Sequence, residues 1–223
     1  MSERPGLFIS FEGTEGSGKS TQMRLLVGRL RETGLTVVEN QEPGTTRIGK
    51  EIRRVLLDPA HEEMQSMTEL LLMFASRTQA ASEIILPALA AGHVVVTDRF
   101  TDSSLAYQGE ARGLGFPTVL ALHQLALGSL MPDMTICVTL DLATSLARAQ
   151  KRNWKNRQDA LEARLDEQSM SFHERVREGY TKIAALDPQR VRTVDGEGDI
   201  AIVADRVWAE VSAVLTSRTQ MKE

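Results

Sequence analysis

The run Gly13-Thr14-Glu15-Gly16-Ser17-Gly18-Lys19-Ser20 carries the pattern G-x-x-x-x-G-K-[ST] at every fixed position. Its surroundings agree with it. The apolar run Leu7-Phe8-Ile9-Ser10-Phe11 ahead of it reads as a buried strand, and helical periodicity follows from Lys19 to about Thr33. Leu25, Leu26, Val27 and Leu30 supply the apolar face of that helix, and Gly34 ends it. A strand that passes through a glycine-rich turn into a helix N-terminus is a cradle for anions. Gly13, Gly16 and Gly18 let the backbone curl so that successive N–H groups face phosphate oxygens. The helix start adds unpaired N–H groups and the positive end of its dipole. Lys19 is a mobile cation for the β- and γ-phosphates of a nucleoside triphosphate, and the Ser20 hydroxyl can ligate Mg²⁺.

The rest of the chain fits one α/β domain spanning residues 1–223. Thr36–Glu39, Val94–Thr97, Met134–Leu140 and Val191–Val194 read as four further strands, and the segments between them carry helical patterns. Apolar runs without alternation are what strands covered on both faces require. Strands separated by helices imply a five-stranded parallel sheet with helices on both faces. Gly44 to Leu57 reads as loop then helix, stopped at Asp58-Pro59. Met67 to Ala91 reads as a long helical stretch that Pro87 should kink or break.

Charge and composition narrow the classes. A formal net charge of −4 over 223 residues gives no sign of wholesale nucleic-acid binding, so any phosphate-binding charge must be local. The apolar stretches Leu70–Ala75 and Ile84–Ala91 are too short to span a bilayer, and the N-terminus lacks the pattern of a secretory signal. The single cysteine, Cys137, lies in a predicted strand as a small core hydrophobe. No membrane association and a cytoplasmic location are the expectations. His61, His93, His123 and His173 show no metal-ligand spacing, and His173 reads as a helix-surface residue with no part in chemistry. From Arg148 to Arg164 six basic side chains crowd together, which fits either a solvated helical face or a lid over phosphates.

The guanine-reading N-K-x-D and T-K-x-D motifs are missing from the sequence, and Asp98-Arg99-Phe100 follows the third strand in place of a switch loop's D-x-x-G. A regulatory GTPase is therefore disfavoured. Four segments then fit together: Glu42-Pro43-Gly44, Phe74-Ala75-Ser76-Arg77, Asp98-Arg99-Phe100, and Ala106-Tyr107-Gln108-Gly109. With the glycine-rich loop, this set resembles the bacterial thymidylate kinases over about Leu7 to Val194. The resemblance implies a P-loop nucleotide kinase fold and transfer of the ATP γ-phosphoryl group to dTMP with Mg²⁺. It implies ATP on Gly13, Thr14, Glu15, Gly16, Ser17, Gly18, Lys19, Ser20 and Thr21, and a homodimer.

The same resemblance assigns the acceptor side. Asp98 joins Ser20 in organising Mg²⁺ or its waters, and Arg99 and Arg53 hold the acceptor phosphate. Glu15 takes the 3′-hydroxyl of the sugar, which explains a carboxylate so near a triphosphate. Arg77 donates to the thymine O4, Ser104 and Gln108 contact the base or its surroundings, and Glu42 belongs to the same pocket. Tyr107 packs where a 2′-hydroxyl would sit, although core packing explains a lone tyrosine equally well.

Lys19, Asp98 and Arg99 are the expected catalytic groups of the body. One branch of the family places a further catalytic arginine directly after the P-loop acid, where this chain has Gly16. The other branch supplies it from a lid, so the basic stretch at about 148–165 becomes the lid, with Arg157 and Arg164 as its candidates. Two further departures stand out. Gln41 replaces the family's usual arginine before Glu42-Pro43-Gly44. Met73 occupies the position of the base-stacking phenylalanine, so either Met73 or the neighbouring Phe74 covers the base. Asp195-Gly196-Glu197, after the fifth strand, is where such a fold could place the adenine. Another nucleoside monophosphate kinase, or a nucleotide-binding regulator without transferase activity, are the alternative readings.

Overall fold

The structure is a computed structural model and describes residues 5–155, 164–166 and 168–220. Five strands, β1 Leu7–Glu12, β2 Val37–Gln41, β3 Val94–Asp98, β4 Met134–Thr139 and β5 Val191–Asp195, form one sheet in the order β2-β3-β1-β4-β5. Every pairing in it is parallel. The expected strands all form, with ends displaced by a residue or two.

The helices are α1 Lys19–Glu32, α2 Arg47–Leu57, α3 Ser66–Ala80, α4 Leu86–Ala90, α5 Thr101–Ser104, α6 Phe116–Leu127, α7 Leu142–Lys155, α8 Met170–Leu186 and α9 Ile200–Gln220. Two π-helical segments, Ala81–Ile85 and Leu105–Ala111, continue α3 and α5. One face of the sheet packs against α1 and α9 through Met23, Leu26, Leu30, Val203 and Val207. The other is covered by α3, the second π segment and α8, with Leu70, Phe74, Tyr107, Val176 and Tyr180 in the core. β1 and β3 are buried along their whole length, as strands with both faces covered must be.

Two local expectations change. Leu25 points to solvent at 41% exposure, and Met23 takes its place in the buried stripe. The stripe therefore runs 23, 26, 27, 30, the 3–4 spacing of one helix face. Pro87 does not end its stretch, which stays helical to Ala90 but passes through a π-helical segment before the proline. The ring cannot donate to the carbonyl one turn back and would collide with it. The wider π turn of Ala81–Ile85 lies directly before it and leads into α4, with Pro87 in its first turn.

The chain lays β2 and β3 on one side of β1, then crosses to build β4 and β5 on the other. The carboxyl ends of β1, β3 and β4 thus open into the crevice where parallel α/β sheets bind ligands.

Candidate active site

The glycine-rich loop leaves β1 at Glu12 and enters α1 at Lys19. Gly18 caps the helix with φ 95°, and Gly13 and Gly16 have φ 136° and 74°. Gly16 is constrained twice over. A Cβ there would sit 1.9 Å from the Ser145 carbonyl oxygen, because α7 packs directly onto the loop. Ser145 Oγ donates to the Glu15 carbonyl at 2.6 Å and shares a 3.1 Å hydrogen bond with Thr14 Oγ1. With α7 in that place, no side chain fits at position 16, let alone an arginine. The loop also approaches β5's exit, where a Cβ at Gly196 would sit 3.1 Å from the Ser17 carbonyl oxygen, and the Gly196 N–H ties that exit to β4 by donating to Thr139 O at 2.7 Å.

Ser20 Oγ donates to Asp98 Oδ2 at 2.5 Å. The two expected metal-organising groups, 78 residues apart in sequence, therefore meet at the helix start. They offer only oxygen donors, the chemistry that Mg²⁺ prefers, and the remaining positions would fall to phosphates and water. Among the described residues, no group of three or more His, Cys, Asp or Glu side chains could hold a metal by itself.

Beside them lies a pocket lined by Glu15, Lys19, Ser20, Asp98 and Arg99 at one end. Gln41, Glu42, Pro43, Arg53, Met73, Arg77, Ser103, Ser104, Tyr107 and Gln108 line the rest, with Leu57, Leu165 and Asp166. Nearly all of the expected acceptor residues are thus brought together. Lys19 Nζ lies 3.8 Å from Glu15 Oε2, and Arg99 Nη2 pairs with Glu15 Oε1. Arg99 also donates from Nη1 to Ser103 Oγ at 2.9 Å and Tyr180 OH at 3.1 Å, and from Nη2 to Tyr107 OH at 3.2 Å. Its guanidinium carbon stands 5.0 Å from the Tyr107 ring centre. Burial works against its charge, yet Tyr107, Glu15, Tyr180 and Asp98 hold its pKa above the ordinary arginine value. Arg99 has φ 73°, a left-handed backbone that is costly for a side-chain-bearing residue.

The far end of the pocket is built on Arg77, 2% exposed. Its Nε donates to Glu42 Oε2 at 2.6 Å, Nη1 to Ser104 Oγ at 3.0 Å and Nη2 to Phe100 O at 3.0 Å. Burial raises the Glu42 pKa and the Arg77 charge opposes that rise. Arg53 Nη1 donates to Pro43 O at 2.7 Å, which ties α2 to the loop after β2. Thr46 starts α2 by accepting from the Gly49 N–H at 2.9 Å.

Several expectations need correction. Phe74 does not face the pocket. It is buried beneath Arg77, whose guanidinium carbon lies 4.7 Å from its ring centre, and it meets His123 edge-on at 6.4 Å. Met73 lines the pocket instead, one residue round the helix. Arg164 is 3% exposed and turned inward. Its Nη2 donates to Glu69 Oε2 at 2.7 Å and its Nε to Leu56 O at 2.5 Å. Arg157 lies outside the described residues. Of the basic stretch, Arg148 and Lys151 are exposed on α7. His173 is buried, not on a helix surface, and burial lowers its pKa. Its Nε2 lies 3.3 Å from Asp166 O.

Sequence reasoning also missed Glu12, Glu69, Ser103 as a contact of Arg99, and Tyr180. Glu12 had a signal that could have found it, a carboxylate closing an apolar strand immediately before the loop. Tyr180 has none, because α8 meets the site only in three dimensions.

A sequence model described as thymidylate kinase matches residues 11–207. The chain is 44% identical over 206 residues to a thymidylate kinase from Pelobacter propionicus, covering 92% of this chain and 94% of that one. It is 45% identical over 202 residues to a thymidylate kinase from Geobacter sulfurreducens, covering 91% and 94%. A crystal structure of thymidylate kinase from Ehrlichia chaffeensis superposes with a TM-score of 0.72 at 31% identity, covering 95% of this chain and 98% of that one. A parallel five-stranded α/β sheet, a P-loop with Ser20 and Asp98 in contact, and an arginine-lined pocket beside it are therefore those of a relative, and the chain belongs to the thymidylate kinase family.

Proposed function

We propose that residues 1–223 work as one kinase domain that transfers the γ-phosphoryl group of ATP to dTMP. The observation that carries this reading is the meeting of Arg99 with Glu15 in one pocket with Lys19, Ser20 and Asp98. That arrangement supports reading Arg99 as an acceptor grip directly beside the triphosphate cradle. Gly13–Thr21 holds the ATP phosphates through backbone N–H groups and Lys19. Ser20 and Asp98 would hold Mg²⁺ through oxygen, and the ion would supply charge neutralisation on the transferring group.

Arg99 and Arg53 hold the dTMP phosphate, the first by a planar two-pronged match to its oxygens. Glu15 then leaves Arg99 for the 3′-hydroxyl. Arg77, fixed by Glu42 and Phe100 O, donates to the thymine O4, Met73 covers the base, and Ser104 and Gln108 complete its edge. Tyr107 fills the space of a 2′-hydroxyl. The acceptor phosphate is itself the nucleophile, so the work is alignment and charge stabilisation. Arg157 of the 148–165 segment supplies the remaining positive charge.

The chain acts as a homodimer. Leu71, Leu86, Leu120 and Leu125, on α3, α4 and α6, are 46–85% exposed and offer apolar area to a second copy. Among the described residues no helix is long and apolar enough to cross a membrane, and we assign the protein to the cytoplasm.

A panel of dTMP, dUMP, UMP, CMP, AMP and GMP with ATP and Mg²⁺ tests the reading. Turnover with dTMP well above the rest is expected. Consumption of ATP at the same rate with no acceptor would overturn it.

A further inference from the structure

Glu12 is wholly buried at the carboxyl end of β1 and is not among the residues lining the pocket. Its two oxygens nevertheless serve Arg99 from both ends. Oε1 accepts from the Phe100 N–H at 2.7 Å. That amide is the next one along the chain from Arg99, the residue held at φ 73°. Oε2 accepts from Ser103 Oγ at 2.5 Å and from Tyr180 OH at 3.0 Å. These are the same two hydroxyls that receive Arg99 Nη1.

Direction matters in this relay. A guanidinium only donates, so each hydroxyl must accept from Arg99 and send its own proton elsewhere. The two hydroxyls lie 2.9 Å apart, and either can pass a proton to the other, but Glu12 Oε2 is the acceptor at the end of both routes. A carboxylate there keeps lone pairs of Ser103 and Tyr180 aimed at Arg99. An amide in its place has one oxygen and one N–H₂, so it sets a donor either against the Phe100 N–H or against the two hydroxyls, and one side of the relay is lost.

We propose that Glu12 is a positioning residue for the acceptor phosphate: it fixes the backbone beyond Arg99 through Phe100 and the Arg99 guanidinium through Ser103 and Tyr180. The proposal rests on the reading of Arg99 as the grip on the dTMP phosphate. Glu12 never meets substrate. It acts by keeping Arg99 in one orientation before the phosphate arrives, so that less freedom is lost on binding.

Binding of dTMP and of thymidine to the full-length protein separates positioning from general damage, because thymidine lacks the group that Arg99 holds. Glu12→Gln is expected to weaken dTMP at least tenfold and thymidine less than twofold, with the Kd for ATP within twofold. Arg99→Ala is the control for the underlying reading and is expected to lose dTMP while keeping thymidine. If Arg99→Ala leaves the preference for dTMP over thymidine intact, the reading of Arg99 fails. If Arg99→Ala abolishes the preference and Glu12→Gln keeps it, or if Glu12→Gln weakens both ligands equally, the assignment to Glu12 fails. Should Glu12→Gln not fold, Tyr180→Phe decides by the same comparison. It is expected to weaken dTMP three- to tenfold with thymidine unchanged, and equal losses would overturn the relay.

Discussion

Arg164 Nη2 donates to Glu69 Oε2 at 2.7 Å, and the two side chains are only 3% and 1% exposed. The same carboxylate receives Arg112 Nη2 at 3.1 Å and, on Oε1, Gln108 Nε2 at 2.9 Å. Burial would raise the Glu69 pKa, but Arg112, Gln108 and Arg164 together hold it below the usual carboxylate range. One buried acid of α3 thus fastens Arg164 together with Arg112 and Gln108. Removing one partner from such a pair leaves charge uncompensated, although Arg112 softens the loss. Arg164→Ala is expected to cost about 3 kcal/mol of stability, read as a lower urea midpoint. Arg157→Ala should leave that midpoint unchanged and lower kcat by about 10²-fold or more.

Met73 and Phe74 should part company in the same way. Phe74 lies under Arg77 and against His123. Phe74→Ala is expected to cost about 3–5 kcal/mol and to lower kcat only in proportion to unfolded protein. Met73→Ala should raise the KM for dTMP several-fold with little change in melting temperature. A fluorescence melt beside dTMP saturation curves checks both.

These two sites show what could be read from the chain alone. The five strands and the loop at Gly13–Ser20 were legible because a strand needs only a short apolar run and the loop only a local spacing. That Arg99, Arg77 and Tyr107 share one pocket was legible through a resemblance in their immediate neighbours. Met73 against Phe74 was not, because one residue is about 100° of helix and decides between pocket and core. Arg164 was not, because a basic residue in a basic stretch does not announce a buried acid 95 residues earlier. The relay around Glu12 joins β1 to α8 across 168 residues, and no local pattern spans that distance.

Asp98 accepts from Ser20 through its carboxylate, while its backbone carbonyl accepts from the Glu42 N–H at 2.9 Å and so does not depend on the side chain. Asp98→Asn keeps the shape and removes the charge. The expected outcome is a roughly 10²-fold fall in kcat and a higher Mg²⁺ concentration for half-maximal rate, with dTMP affinity within threefold. A magnesium titration at saturating ATP and dTMP measures it, and an unchanged magnesium requirement would remove Asp98 from the metal site.

Burial, reinforced by Asp102 and opposed by Arg99, Ser103 and Phe100, pushes the Glu12 pKa from 4.5 to about 7. The folded protein therefore keeps a proton between those values that the unfolded chain has lost. The stability linked to that proton is complete below pH 4.5 and disappears as the pH rises through 7, a total on the order of 3 kcal/mol. Function runs the other way, since the ionised carboxylate is what aims Ser103 and Tyr180 at Arg99. From pH 6 to 8 the wild type should lose stability to urea while gaining affinity for dTMP. Glu12→Gln should flatten both trends. The dTMP phosphate also titrates near pH 6, so the ratio of wild-type to variant affinity at each pH is the quantity to plot, because the ligand's own ionisation cancels in it. A ratio that stays constant across this range would separate Glu12 ionisation from acceptor binding and leave burial as the whole reason for its shifted pKa.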